Sequence, residues 1–243
     1  MTSIVKSREY SSDYLLQHVR DVIHASHPNL TPFLALFGCS DEVNSGAASV
    51  RQSVFGGYGG IFITRIIGSQ VFYQQLKVAT GKGHRSNVFE VNVHIGEMEE
   101  NGQRVLGKLI GRDGQVRPTC GALAHVLEDF MERPDEILSV SKTEADKLYL
   151  DFLGTLKFRL NTIKIDLMVA ENPMLTITQK NLEFQMRELV NQLRRILTDN
   201  PAQAPFFAYG TITCNRTEQP DTESLEYFYR IEGGAETQIH SLI

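Results

Sequence analysis

The sequence predicts an α/β protein, a single domain with a central mixed or mostly parallel β-sheet flanked by helices. The apolar run Phe33 to Phe37 ends at Gly38 and reads as a short strand buried on both faces. Phe89, Val91 and Val93 alternate with Glu90, Asn92 and His94, the period of two that marks a strand. Leu182, Met186, Leu189, Val190, Leu193, Ile196 and Leu197 make one stripe at helical spacing, a face suited to packing on a sheet. The 243 residues suit one large domain, and neither an internal repeat nor a low-complexity linker divides them, so residues 1–243 are read as one unit.

Each element has its own signal. A helix is expected over 12–25, with Leu15, Leu16, Val19, Val22 and Ile23 on one face and Ser11 or Ser12 as caps. The buried strand over 33–37 then delivers Cys39 to a strand end, where ligand sites of α/β proteins collect. GGYGG at 56–60 begins the most glycine-rich third of the chain. The alternating strand closes at His94, which it places on the face opposite the valines. Val105 to Ile110 reads as one further strand, with a turn at Arg112-Asp113-Gly114. A helix from about Gly121 to Glu132 is stopped by Pro134. Residues 143–160 are helical with Leu148, Phe152 and Leu156 in register, and Thr176-Ile177-Thr178-Gln179 reads as a capping box opening the striped helix. Phe206 to Cys214 and Leu225 to Ile231 are strands joined by a polar loop around Pro220.

Composition narrows the function. Lys and Arg total 24 against 29 Asp and Glu, a net charge of -5 without any block of like charge, which argues against a nucleic-acid partner. The longest apolar stretch, Pro32 to Cys39, falls well short of the roughly 20 residues a bilayer span needs. The amino end lacks the apolar core of a secretory signal, so a reducing, cytoplasmic setting is expected. Three widely spaced cysteines, Cys39, Cys120 and Cys214, suit free thiols or metal ligands better than disulfides. Asn215-Arg216-Thr217 matches a glycosylation sequon and is read as a chance match.

Zinc takes thiolate and imidazole ligands, and a catalytic zinc keeps three protein ligands with one open position. Cys39, His94 and Cys120 supply such a set from three strand ends or loops. Spacing alone leaves other readings open, because a free cysteine is usually a small buried apolar residue and a lone histidine is usually structural. Cys39 as a nucleophile with His94 as its base, as in a thiol hydrolase, is one of them. GKGHRSN at 81–87 lacks the ending of a phosphate-binding loop.

CSDEVN at 39–44, GGYGG, VNVHIG at 91–96 and GRDGQVRPTCGAL at 111–123 occur in that order. Together they resemble the limiting-CO2-inducible protein B/C family, whose members are similar to β-carbonic anhydrases; the match is clear over about residues 30–125. The resemblance implies a β-carbonic anhydrase-like fold, zinc held by Cys39, His94 and Cys120, reversible hydration of CO2 to bicarbonate, and a homodimer. It also implies a catalytic role for Asp41, which would accept a hydrogen bond from the attacking hydroxide while an arginine keeps it off the metal. Asp41 also suits a helix cap. This chain departs from the family where that arginine belongs, four positions past Asp41, and carries Ser45 instead. Arg51, the next arginine, would lie about 280° around and roughly 15 Å along a continuous helix from Asp41, and Arg65 is a second candidate. The departure supports an alternative, a catalytically impaired zinc protein acting as an interaction or regulatory subunit.

Overall fold

A computed structural model describes residues 8–40, 47–56, 61–81, 85–111, 113–133, 152–200, 204–217 and 219–239. The predicted opening helix is α1 (Ser12–Ser26), capped by the Ser11 hydroxyl accepting from Tyr14 N, with Leu15, Leu16, Val19 and Ile23 buried. It is followed by β1 (Leu34–Gly38), α2 (Ala47–Phe55), β2 (Phe62–Arg65) and α3 (Tyr73–Thr80). Next come β3 (Val88–Glu100), β4 (Gln103–Leu106), β5 (Lys108–Ile110), β6 (Val116–Pro118) and α4 (Gly121–Glu132). After a short helix, Phe152–Leu160, a long helix spans Pro173–Asp199, and β7 (Phe206–Arg216), β8 (Thr222–Glu232) and β9 (Ala235–Gln238) end the described chain.

Seven strands form one sheet in the order β2-β1-β3-β7-β8-β9, with β4 also on β3. The β1–β2, β1–β3 and β3–β7 pairs are parallel and the β3–β4, β7–β8 and β8–β9 pairs antiparallel, so the sheet is mixed. Alternation along the two central strands decides what lies on each side. Phe89, Val91, Val93 and Ile95 join the main core with the long helix, whose predicted stripe is buried as expected. Val88, Phe207 and Tyr209 join a second core under α1.

Four expectations are corrected. His94 lies in the middle of its strand, because β3 continues to Glu100 after its β1 partner has ended. The strand read over 105–110 is two strands, broken at Gly107, whose φ of 91° is a left-handed conformation. The long helix starts at Pro173 with Asn172 as its cap, accepting from Leu175 N, so Thr176 to Gln179 already lie inside it. The strands read as 206–214 and 225–231 extend to Arg216 and back to Thr222. The turn residue Arg112, the helix stop Pro134 and residues 143–151 lie outside the described residues, as do residues 57–60 of the glycine run. No helix among the described residues is long and apolar enough to cross a membrane.

Candidate metal centre

β3 has β7 along one side, in register from Val88 through Glu97. On its other side β1 pairs only as far as Asn92, and β4 begins at Glu97. The segment between, which includes His94, is therefore open to whatever leaves the end of β1. Cys39 is the first residue past β1, one beyond Gly38, the register partner of Asn92.

Glycine lets a third segment reach the same gap. Gly96 N donates to Thr119 O and Gly96 O accepts from Gly107 N, while Thr119 N donates to Gly107 O. These bonds fold the antiparallel β5–β6 pair over β3. A Cβ at Gly96 would lie 2.7 Å from Lys108 O, so only a residue without a side chain permits the crossing. The hairpin delivers Cys120 at the N-cap position of α4.

The result is a buried trio. Ligand atoms of Cys39, His94 and Cys120 all lie within 4.8 Å of one another, and none of the three residues is more than 2% exposed. Cys39 Sγ and Cys120 Sγ are 3.5 Å apart. Two thiolates at tetrahedral zinc, each about 2.3 Å from the ion, are about 3.8 Å apart, close to the spacing seen here. His94 Nδ1 contacts Asn215 Oδ1 at 3.0 Å. Gly68 N lies 3.4 Å from Cys39 Sγ, in a turn that needs glycine because its φ is 67°. Asn181 Nδ2 donating to Gly68 O, and Ser69 Oγ donating to Asn92 O, clamp that turn.

The electrostatics favour a cation. The hydrogen bond with Cys39, then burial, hold the Cys120 thiol well above the ordinary range, because two adjacent buried thiolates repel. The backbone N–H groups of Leu123 and Ala122 pull the other way, as a helix N-terminus does. A divalent cation between the sulfurs would replace their repulsion with coordination. Two soft sulfurs and an imidazole suit zinc among common ions.

The other predicted site residues fall as follows. Asp41 and Ser45 lie outside the described residues. Arg51 is buried on α2 and bonded to both Glu90 and Glu223. Arg65 is exposed at the end of β2, in register with Gly38. Cys214, expected to be an inert strand residue, is buried on β7 with its thiol donating to Glu97. Asn215 is 2% exposed, too buried to be glycosylated in the folded chain. It was not singled out as a site residue, although Tyr209, Thr211, Thr213 and Asn215 alternate with smaller or apolar residues and match the polar face of Glu90, Asn92 and His94.

No protein-family model and no curated protein sequence matches the chain. Among solved structures it is similar to PtLCIB4, described as a homolog of the limiting CO2-inducible protein LCIB. That match has a TM-score of 0.67 at 17% identity and covers 97% of this chain and 95% of that one. Limiting CO2-inducible protein LCIB itself matches with a TM-score of 0.64 at 18% identity, over 96% and 98% of the two chains. The chain thus has the fold of these proteins.

Proposed function

We propose that the chain is a zinc-dependent carbonic anhydrase-like protein of the limiting-CO2-inducible family, a soluble cytoplasmic homodimer that hydrates CO2 reversibly to bicarbonate. The observation that carries this reading is the buried Cys39, His94 and Cys120 trio, assembled where β3 passes from β1 to β4. Cys39 and Cys120 would hold the ion through sulfur, and His94 through the ring nitrogen that does not face Asn215. Bound zinc supplies a Lewis acid that brings a coordinated water's pKa to about neutrality, the nucleophile this reaction needs. The chain's own contribution is to keep the ligands dry and fixed: Gly68 N orients the Cys39 sulfur, and the N-terminus of α4 favours the Cys120 thiolate. The family resemblance is what assigns Asp41, two residues after Cys39, the orientation of the attacking oxygen. Ser45 in place of the family arginine is what favours the second reading, a zinc protein that has lost the reaction and serves as an interaction or regulatory subunit.

Elemental analysis of the purified chain should give close to one zinc per chain, falling to a small fraction in Cys120→Ser. Full zinc in both Cys39→Ser and Cys120→Ser would overturn the site. Stopped-flow CO2 hydration from about pH 6.5 to 9 on wild type, Asp41→Ala and Ser45→Arg separates the two readings. A hydratase is active and weakened by Asp41→Ala, whereas inactivity at every pH, unrelieved by Ser45→Arg, leaves only the zinc protein.

A further inference from the structure

We infer that Asn215 and Asp221 form a relay that fixes the tautomer and the aim of His94, and so sets how tightly the trio holds its metal. This rests on the zinc reading above and adds two positioning residues to it. Asn215 lies on β7 and is paired across the sheet with Gly96, two residues beyond His94 on β3. Its side-chain amide has two ends. Nδ2 is 3.0 Å from Asp221 Oδ2, and Oδ1 is 3.0 Å from His94 Nδ1. Asp221 is held in turn by Arg216 N, which donates to its Oδ1 at 3.0 Å.

The donor and acceptor chemistry of this line has one consistent solution. A carboxylate only accepts, so Asp221 must take a proton from Asn215 Nδ2. That turns Oδ1, which only accepts, toward the imidazole. His94 Nδ1 must therefore carry a proton, and in the neutral ring Nε2 then carries the lone pair a metal needs. The exposed carboxylate thus dictates the tautomer of a buried ring through one buried amide. Among the described residues, the Asn215 side chain bonds His94 and Asp221. Outer partners of ligating histidines typically change metal affinity ten- to a hundredfold when removed, because they fix both tautomer and ring orientation.

The tautomer is read in the metal-free full chain by long-range 1H–15N spectra of protein labelled at histidine, the His94 signals being found by their loss in His94→Gln. Wild type should show the Nδ1–H form, with Nε2 shifting when zinc is added. Asn215→Leu should lose that preference and weaken zinc about ten- to a hundredfold in competition with a chromogenic chelator. Asp221→Asn, which changes only an exposed side chain and lets the amide turn round, should give mixed tautomers and a smaller loss; it carries the test if Asn215→Leu fails to fold. An Nε2–H ring in the metal-free wild type, or unchanged spectra and zinc affinity in the variants, overturns the relay. A wild type that shows the Nδ1–H form but takes up no zinc refutes the proposed function while leaving the tautomer assignment standing.

Discussion

The three cysteines meet two different surroundings, and only one of them suits a metal. Cys39 and Cys120 face each other at 3.5 Å beside an imidazole, whereas Cys214 faces a carboxylate, donating to Glu97 at 3.3 Å. Burial, and then that carboxylate, push the Cys214 thiol up to about 12 from an ordinary 9.0. The folded chain therefore keeps a proton that the unfolded chain releases between those two values. The sign follows: the contribution is fully present below about pH 9 and is lost as pH rises towards 12. Urea unfolding from about pH 8 to 11 should show stability falling with pH in wild type, and a shallower fall in Cys214→Ser, which keeps a donor for Glu97 and removes the titration. Equal slopes would show that the thiol is neutral for no reason that folding supplies. The same scale shows where sequence reading stops. Cys39, His94 and Cys120 were legible because thiols and imidazoles are rare and stood inside recognisable motifs. Asn215 was not, because a sequon dominates its local pattern and the residue it serves is 121 positions away.

Element patterning was most legible where periodicity is long. The stripe of the long helix and the alternation of β3 were both found, but their ends were misplaced, since a cap or a partner strand decides an end. β3 outlasts β1 because β7 and β4 go on supplying partners, and no local residue signals this. The least legible element was α2, for which the sequence offered no signal beyond a helix that Asp41 would cap and that would carry Arg51 away from it. In the structure Arg51 enters the interior, bonding Glu90 through Nε and Nη2 and Glu223 through Nη1 and Nη2. Tyr209 and Thr211 also donate to Glu90. The guanidinium so ties α2 to β3 and β8. Burial opposes its charge, and the two carboxylates outweigh burial, holding its proton more firmly than usual. Removing one partner from such a buried network leaves uncompensated charge and typically costs about 3–5 kcal/mol. Arg51→Met should thus lose about 3–5 kcal/mol in urea unfolding, and Glu90→Gln in that background should recover part of it by removing one unpaired charge. A loss under about 1 kcal/mol would mean that the network adds specificity rather than stability.

At the scale of the whole molecule the trio is a junction. Cys39 follows β1, His94 sits in the centre of β3, and Cys120 opens α4 after the β5–β6 pair, so one ion would join three parts of the chain separated by long stretches of sequence. In the unfolded chain these ligands are far apart, so metal binds mainly the folded form and adds its binding free energy to stability. At free zinc about a thousand times the dissociation constant, that linkage is worth about 4 kcal/mol. For a chain of this length each kcal/mol moves the melting temperature by roughly 2–4 °C. Removing zinc with a chelator should therefore lower Tm by roughly 8–16 °C, and restoring one equivalent should recover it. Cys39→Ser and Cys120→Ser should melt near the metal-free wild type and respond little to either treatment. Asn215→Leu should fall between, needing more zinc to reach the same Tm, because its site is present and only misaimed. An equal zinc response in wild type and in both cysteine variants would place the stabilising ion elsewhere. No response in the wild type would mean that the geometry joining β1, β3 and α4 holds without a metal, the paired thiols serving as core in its place.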